Sequence, residues 1–323
     1  MCTAISYRTG DHYFGRTLDL EYSYKEAVTI TPRKFSLRFR TKGNVETHYS
    51  IIGMATQMAE YPLYYDAANE HGLAMAGLNF PGNAHYFPVA DGKDNIAPFE
   101  LVPWILGQCR NLQEARKLLE KINICNISYS DQWPNSPLHW IIADEQGALT
   151  VESTMDGLKI YEKPVGVLTN NPPFDYHMNH LAEFLNLTVN EPENQAGMAG
   201  IIPYSRGMGA IGLPGDLSSA SRFVRAAFVK SNSISGDGEQ ESISQFFHIL
   251  GAVEQQRGCV RLENGKNVIT VYTSCINTRQ GIYYYTTYEN RCICGVDMHK
   301  CDLDGNGLVQ YPLVNKQIIC YQN

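Results

Sequence analysis

The first twenty residues alternate between apolar and polar side chains in a pattern that predicts a β-hairpin. One alternating run covers residues 2–8 and a second covers 12–19, and the Thr9-Gly10-Asp11 segment between them has the composition of a tight turn. A turn of three residues pairs residue 8 with residue 12 and therefore sets Leu18 opposite Cys2. Even-numbered residues of the two strands then share one face of the hairpin.

The remaining pattern predicts layers of strands and helices. Strand patterns occur at 49–54, 72–79, 138–143, 148–153, 158–162 and 165–169, and a second hairpin is predicted at 267–276 and 281–288. Apolar residues at helical spacing predict helices at 98–109, 112–122, 175–187, 219–230 and 242–255. The helices fall between groups of strands, which favours stacked layers with antiparallel sheets over a βαβ alternation. No repeat or linker divides the chain, so we expect a single domain over residues 1–323.

Composition and charge narrow the class of protein. Hydrophobic residues make up 44% of the 323 residues and 20 are Tyr, which indicates large buried sheet surfaces. Lys and Arg total 26 against 33 Asp and Glu, and the resulting net charge of −7 disfavours nucleic acid as the main partner. Apolar runs fall short of the roughly 18 to 20 residues that span a bilayer, so no membrane insertion is expected. The start of the chain lacks a signal-peptide pattern and the nine Cys are scattered, which predicts a cytoplasmic protein with reduced thiols.

Cys2 is the first candidate for chemistry. Removal of Met1 would place a thiol and a free α-amine on the same residue. A thiolate is a strong nucleophile, and an α-amine is partly neutral near pH 7 and can accept a proton without a histidine. The alternative is that a cysteine at the second position has no catalytic role.

The predicted hairpin brings two charged residues near Cys2. Arg16 becomes its diagonal neighbour, about 7 to 8 Å away between backbones, and Asp19 lies just past the end of the pair. An arginine favours the thiolate form, and a carboxylate can orient the amine. Two surface charges are the alternative, because a turn one residue longer or shorter would move Arg16 to the opposite face.

Seven short motifs stand out along the chain. They are Met1-Cys2-Thr3, Gly15-Arg16-Thr17-Leu18-Asp19-Leu20-Glu21-Tyr22, Gly77-Leu78-Asn79-Phe80-Pro81, Leu168-Thr169-Asn170-Asn171-Pro172, Gly212-Leu213-Pro214-Gly215-Asp216, Ala220-Ser221-Arg222-Phe223 and Tyr272-Thr273-Ser274-Cys275. In this order, from residue 1 to about residue 290, they resemble the choloylglycine hydrolase family. That family contains the bile salt hydrolases and penicillin V acylases of the N-terminal nucleophile superfamily.

The resemblance implies a fold and a set of catalytic residues. The fold is an α+β, four-layer αββα sandwich of two antiparallel sheets between helical layers. No metal or cofactor is implied. The implied roles are nucleophile and base for Cys2, a partner of its amine for Asp19, electrostatic groups near the thiol for Arg16 and Arg222, and polar groups at the oxyanion for Asn79 and Asn170.

The implied reaction is hydrolysis of the amide between a steroid acyl group and glycine or taurine, through a thioester on Cys2. Asn79 resembles the bile salt hydrolases, since penicillin V acylases more often carry Tyr at that position. An apolar pocket is expected from loops at 54–65 and 80–87, including Phe80, with Leu138 nearby. Ser205 and Arg206 resemble a run found in taurine-preferring members, and an arginine is a suitable sulfonate partner.

Other readings of the sequence stay open. A penicillin V acylase or another N-acyl amide acylase is the alternative within the superfamily, and a non-catalytic ligand-binding or calcium-binding protein is the alternative outside it. Residues 302–308 imitate the start of a calcium-binding loop, but Leu313 occupies the position of the bidentate Glu. The spacing of Cys292, Cys294, His299 and Cys301 does not match a zinc finger. Family members are commonly homotetramers, and segment 190–215 is the candidate for subunit contacts.

Overall fold

Two antiparallel sheets contain most of the strands, which we number β1 to β18 along the chain. The computed structural model describes residues 1–59, 61–162 and 165–323. The first sheet has six strands, in the spatial order β14 (Val167–Leu168), β1 (Cys2–Arg8), β2 (His12–Leu20), β15 (Ile269–Asn277), β16 (Ile282–Thr287) and β17 (Cys294–Asp297).

The second sheet has eight strands, and two small pairs of strands lie outside both sheets. The spatial order of the second sheet is β13 (Gly157–Glu162), β12 (Gly147–Thr154), β11 (Leu138–Asp144), β8 (Ala74–Asn79), β7 (Tyr61–Asn69), β6 (Ile51–Met58), β3 (Ala27–Thr31) and β18 (Val309–Pro312). The small pairs are β4 (Leu37–Phe39) with β5 (Gly43–Val45), and β9 (Asp94–Ile96) with β10 (Ile122–Ile124). Each large sheet thus joins strands from both ends of the chain.

Helices cover the outer faces of the two sheets. The α-helices are α1 (Leu101–Leu106), α2 (Leu112–Leu119), α3 (Phe174–Ala182), α4 (Ser219–Asn232) and α5 (Glu239–Gly251), and short 3-10 turns occupy Pro98–Glu100, Met208–Ala210 and Met298–Lys300. Helices α4 and α5 pack on the first sheet with α3 beside them, whereas α1 and α2 pack on the second sheet. This arrangement confirms the predicted α+β sandwich with four layers.

Two buried apolar clusters hold the layers together. One joins both sheets to α4 and α5 and includes Phe14, Ile141, Phe223 and Phe246. The other joins the outer face of the second sheet to α1 and α2 and includes Trp140. Burial of these side chains is the main favourable term for stacking the layers. None of the helices in the described residues is long and apolar enough to cross a bilayer.

The register of the first hairpin is the one that the sequence predicts. Cys2 pairs with Leu18, Ala4 with Arg16 and Arg8 with His12. The turn closes through a hydrogen bond from the Thr9 N–H to the Asp11 carbonyl at 2.9 Å. A turn of three residues therefore fixes which side chains share a face with Cys2.

Other elements differ from their predicted extents. The 98–109 segment divides into a 3-10 turn and the short α1, and α2 ends at Leu119 because Ile122–Ile124 turns into a strand. Strand β7 was predicted as part of a pocket loop at 54–65, of which residue 60 lies outside the described residues. Most of β7 is buried on both faces in the middle of the second sheet, so its sequence lacks the alternation that marks a half-exposed strand.

Candidate active site

A cavity of about 600 Å³ lies beside Cys2 and is lined from both sheets. Of the residues predicted individually for the site, four line this cavity: Cys2, Arg16, Asn79 and Leu138. Cys2 is only 2% exposed, so its thiol is accessible through the cavity rather than from the outer surface. The cavity is thus the space in which a substrate would meet the thiol.

Arg16 lies on the same face of the hairpin as Cys2 and is held by backbone carbonyls. Its Nη1 donates to the carbonyls of Tyr65 at 3.2 Å and Gly77 at 2.5 Å, and its Nε donates to the carbonyl of Thr17 at 3.2 Å. A bulge in β7 opposite Met54 and Ala55 places the Tyr65 carbonyl in this position. The guanidinium is therefore fixed by both sheets.

Electrostatics keep Arg16 charged although it is almost completely buried. Burial lowers the pKa of Arg16, but nearby Cys2, Tyr272, Asp66 and Asp19 raise it above its ordinary value. Arg16 is the only charged residue among the described residues that line the cavity.

Asn170 connects three parts of the site. Its Oδ1 accepts hydrogen bonds from the Cys2 backbone nitrogen at 2.7 Å and from Arg222 Nη2 at 2.8 Å. Its Nδ2 donates to the backbone carbonyl of Asn79 at 2.8 Å. The resemblance predicts Asn170 as a polar group at the oxyanion. Its contacts are with the Cys2 backbone nitrogen, with Arg222 and with the backbone carbonyl of Asn79, which lines the cavity. The Asn79 side chain makes no hydrogen bond to the described part of the chain.

Arg222 is a structural neighbour of Cys2 and does not line the cavity. It lies in the first turns of α4, is 0% exposed, and its Nη1 donates to the Cys2 carbonyl and to Thr3 Oγ1, both at 2.6 Å. Burial lowers the pKa of Arg222, while Asp19 and Cys2 oppose that effect. The guanidinium therefore fixes the backbone of the first strand behind the thiol.

Asp19 is buried on the far side of the hairpin from the cavity. Its carboxylate accepts hydrogen bonds from Thr270 Oγ1 at 2.7 Å and Thr17 Oγ1 at 3.1 Å, and a bulge in β15 after Thr270 allows the first of these. Burial raises the pKa of Asp19, although Arg222 and the terminal amine oppose it. The amine of Met1 donates to the Asp19 backbone carbonyl at 2.6 Å. With Met1 present, the Asp19 carboxylate makes no hydrogen bond to Cys2.

The structure corrects the predicted pocket. Phe80 is 0% exposed and stacks on His139 with ring centroids 4.3 Å apart, so it does not line the cavity. Since Asn79 faces the cavity at the end of β8, the next residue points away from it. Segment 80–87 contributes no residue to the cavity wall, and segment 54–65 contributes through the β6–β7 hairpin rather than through a loop.

Ser205 and Arg206 are also absent from the cavity wall of their own chain. Both are exposed on segment 190–215. The base of this segment is closed by a hydrogen bond from the Thr188 N–H to the Gly209 carbonyl at 3.0 Å, so the residues between project as a surface loop. Geometry within one chain therefore gives these residues no contact with a ligand in the cavity.

Sequence reasoning missed most of the cavity wall. Aromatic rings provide much of its surface, and the Tyr24 and Trp133 rings lie 5.9 Å apart. The signal available in the sequence was the aromatic and proline-rich segment 129–137, which directly precedes the predicted strand at 138–143. Tyr64 and Tyr65 belong to the predicted segment 54–65. The aromatic lining residues outside the predicted segments are Tyr22, Tyr24, Phe99, Tyr129 and Trp133.

The calcium-like segment is engaged in other contacts. Arg33 Nη1 lies 3.2 Å from Asp304 Oδ1, and the Asp304 N–H donates to Asp302 Oδ1. Across the described ranges there is no group of three or more His, Cys, Asp or Glu residues arranged to hold a metal ion. All nine cysteines lie in those ranges, and each is a free thiol.

Comparisons with known proteins identify relatives over nearly the whole chain. The model of linear amide C–N hydrolases of the choloylglycine hydrolase family matches residues 2–311. A bile salt hydrolase/transferase of Lactiplantibacillus plantarum is 52% identical over 314 residues, 97% of this chain and 97% of that protein. A bile salt hydrolase/transferase of Clostridium perfringens is 39% identical, with 96% of each chain covered.

Solved structures give the same relationship. A crystal structure of a variant of the conjugated bile acid hydrolase from Clostridium perfringens matches with a TM-score of 0.93 and 38% identity, covering 100% of both chains. The penicillin V acylase of Agrobacterium tumefaciens matches with a TM-score of 0.75 and 20% identity, covering 99% of this chain and 94% of that one. The second likeness concerns the fold alone.

Proposed function

Because this chain belongs to the choloylglycine hydrolase family of linear amide C–N hydrolases, we propose that it hydrolyses the amide bond of glycine- or taurine-conjugated bile salts. The observation that carries the proposal is the cavity beside Cys2, whose wall is largely apolar and aromatic and whose only charged residue, within the described chain, is Arg16. A volume of about 600 Å³ suits a rigid acyl group the size of a steroid. Relatives with 52% and 39% identity are named as bile salt hydrolases.

The proposed nucleophile is the thiol of Cys2 after removal of Met1. Cys2 Sγ attacks the carbonyl carbon of the scissile amide, and the α-amine of the same residue accepts the thiol proton and passes it to the leaving nitrogen. The Cys2 nitrogen already donates to Asn170 Oδ1 at 2.7 Å, and this contact would orient the amine once it is free. Asp19, held by Thr17 and Thr270, supplies a negative charge on the far side of the hairpin.

The proposed oxyanion donor is the side-chain amide of Asn79. It lines the cavity, and its backbone carbonyl is fixed by Asn170 Nδ2 at 2.8 Å. An amide donor stabilises the developing negative charge without titrating, and loss of one such donor typically costs about 3 kcal/mol of activation free energy. The oxyanion would also lie near the charge of Arg16.

Water then resolves the thioester and releases the free bile acid. The amine takes a proton from the attacking water and returns it to the Cys2 sulfur as the thioester bond breaks. An amine that entered in place of water would receive the acyl group, which agrees with the word transferase in the names of the relatives.

The test of the proposal is product release from a panel of glycine and taurine conjugates, with Cys2→Ala as the control. The wild type is expected to release free bile acid, to lack Met1 by mass spectrometry and to be alkylated first at Cys2. Cys2→Ala should lose turnover while keeping its melting temperature, because the replacement removes only one sulfur from the cavity wall. A chain that retains Met1 and hydrolyses no conjugate would contradict the proposal, and faster turnover of phenoxymethylpenicillin than of taurocholate would favour the acylase alternative.

Taurine preference is a separate proposal that rests on Ser205 and Arg206. Since both residues lie outside the cavity of their own chain, the proposed contact with the sulfonate requires an adjacent subunit or a movement of segment 190–215. Arg206→Ala is expected to lower turnover of a taurine conjugate relative to the matched glycine conjugate. Arg38→Ala, which removes another exposed arginine, should leave that ratio unchanged, and an equal ratio in wild type and Arg206→Ala would refute the preference.

We also propose that the enzyme works in the cytoplasm as a homotetramer. The nine free thiols suit a reducing compartment. Segment 190–215 exposes the apolar side chains of Met198, Ile201, Ile202 and Ile211, which suit a subunit contact.

A further inference from the structure

A buried histidine–glutamate pair lies behind the site and takes no part in the proposed mechanism. His139 on β11 and Glu152 on β12 both have side chains that are 0% exposed, and His139 Nδ1 lies 3.0 Å from Glu152 Oε1. Neither residue lines the cavity. Burying such a pair is unfavourable unless its polar atoms make hydrogen bonds, so the hydrogen bonds of this pair indicate its role.

His139 reaches across from the second sheet to the backbone beside Asn170. Its Nε2 lies 3.0 Å from the Thr169 carbonyl, and a carbonyl only accepts, so Nε2 carries a hydrogen. One further proton must lie between Nδ1 and Glu152 Oε1, because two acceptors would otherwise face each other. Glu152 Oε1 also accepts from the Phe174 N–H at 3.1 Å, which ties the start of α3 to the same pair.

The same imidazole supports the second asparagine of the site. Phe80 directly follows Asn79 and stacks flat on His139, with an angle of 7° between the rings. Asn170 Nδ2 in turn donates to the Asn79 carbonyl. His139 therefore contacts the neighbours in sequence of both Asn79 and Asn170.

A second buried histidine fixes the next carbonyl along the chain. His177 Nε2 donates to the Asn170 carbonyl at 2.8 Å. Burial lowers the pKa of His177 to about 4, so the ring is neutral at pH 7 with its hydrogen on Nε2. The carbonyls of Thr169 and Asn170 thus both accept hydrogen bonds from buried imidazole rings.

We propose that His139, oriented by Glu152, is a positioning residue for the hydrolysis. Its Nε2–H fixes the Thr169 carbonyl and thereby holds the Asn170 side chain on the Cys2 nitrogen, while its ring face holds Phe80 and so Asn79. The proposal rests on the proposed function. An error of about 1 Å in a catalytic group can cost about a hundredfold in rate. Loss of this contact should therefore lower kcat, whereas KM depends on cavity contacts that His139 does not make.

The test compares two amide replacements of equal polarity. The amide nitrogen of Gln lies near the position of Nε2, so His139→Gln keeps a donor for Thr169. The amide nitrogen of Asn lies near the position of Nδ1, so His139→Asn keeps a hydrogen-bond donor for Glu152 but loses the hydrogen bond to the Thr169 carbonyl. His48→Asn is the matched control, because the ring nitrogens of this buried histidine contact the carbonyls of Tyr49 and Phe35, away from the cavity.

His139→Asn is expected to lower kcat by about ten- to a hundredfold with KM changed by less than about threefold, and His139→Gln to recover most of the loss. His48→Asn should lower the melting temperature without lowering kcat. Wild-type kcat in a folded His139→Asn, equal losses in the Asn and Gln variants, or a rise in KM alone would overturn the proposal. If neither replacement folds, Phe80→Leu removes only the stacked ring, and an unchanged kcat in that variant would overturn it.

The rate of Cys2 alkylation by iodoacetamide separates this proposal from the proposed function. If the wild type hydrolyses no conjugate, the proposed function is wrong, yet slower alkylation in His139→Asn than in His139→Gln still supports positioning of Cys2 by His139. Equal alkylation rates in the two variants would refute it.

Discussion

Asn170 illustrates what single residues contribute to this site. The motif around it predicts a polar group at the oxyanion, and its contacts are with the Cys2 nitrogen, Arg222 and the Asn79 carbonyl. One amide makes all three contacts because it has an acceptor and donors on the same rigid group. No spacing rule predicts these partners, because they lie 168, 52 and 91 residues away in the sequence.

His12 provides a prediction about pH at the residue scale. Burial, with help from Arg8 and Lys230, lowers the pKa of His12 to about 4 from 6.5. Between these values the unfolded chain takes up a proton that the folded chain does not, so stability is lost as the pH falls from about 6.5 to 4. The loss reaches about 3 kcal/mol. The loss of stability is complete at about pH 4, the pKa of His12 in the folded protein, and it is absent above pH 6.5, the ordinary pKa of the unfolded chain.

His12→Gln should remove this dependence. The variant loses the hydrogen bonds of the ring to Ser6 and Thr278 and is less stable than the wild type at pH 7. The difference in unfolding free energy between the two proteins should then shrink as the pH approaches 4. Urea denaturation at several pH values measures it, and a difference that stays constant with pH would contradict the assignment.

At the scale of elements, the register of the hairpin can be predicted from the sequence, whereas the positions of the bulges cannot. The register of β1 against β2 follows from the turn and the alternation of side chains, and the structure confirms it. The bulges in β7 and β15 are what bring the Tyr65 carbonyl to Arg16 and Thr270 to Asp19. A bulge adds one residue without changing local composition, so it could not be read from the sequence.

Gly15 tests the packing of β2 against β15. A Cβ at this position would lie 2.1 Å from the Ser274 carbonyl oxygen and 2.6 Å from its carbon, and both atoms belong to the backbone of the paired strand. Gly15→Ala should therefore cost about 3 kcal/mol or more in unfolding free energy and displace Arg16. Gly251→Ala is the control, because a Cβ there has no neighbour within 4 Å and α5 gains a better helix former. Equal stability of the two variants by urea denaturation would contradict this account.

At the scale of the molecule, the layers bring residues that are distant in the sequence to Cys2 and to the cavity beside it. Cys2 and Arg16 come from the first sheet, Asn79 from the second, Asn170 from the end of β14 and Arg222 from α4. The net charge of −7 would repel the anionic conjugates of the proposed function at a distance. Arg16 would therefore attract them locally, since neither Arg222 nor Arg206 lines the cavity. A site drawn from so many elements favours the predicted single domain.

The prediction at the scale of the molecule concerns the number of chains in the assembly. The wild type is expected to have the mass of four chains by size-exclusion chromatography with light scattering. Replacing Ile202 and Tyr204, which are 79% and 87% exposed, by Ser should give smaller species because contiguous exposed apolar side chains usually cover an interface. Ile234→Ser removes a side chain that is 89% exposed elsewhere and should leave the mass unchanged. A monomeric wild type would contradict the prediction.

The sequence by itself determined the hairpin register, the layered α+β class and the family, because turns and side-chain alternation act between near neighbours and the motifs are contiguous. It did not determine which way Phe80 points, where Ser205 and Arg206 lie, the aromatic wall of the cavity or the contact of His139 with Thr169. These features depend on packing between elements far apart in the chain, where burial and shape decide the neighbours. Cys2 could therefore be named as the proposed nucleophile from the sequence, whereas the contacts around it required the tertiary structure.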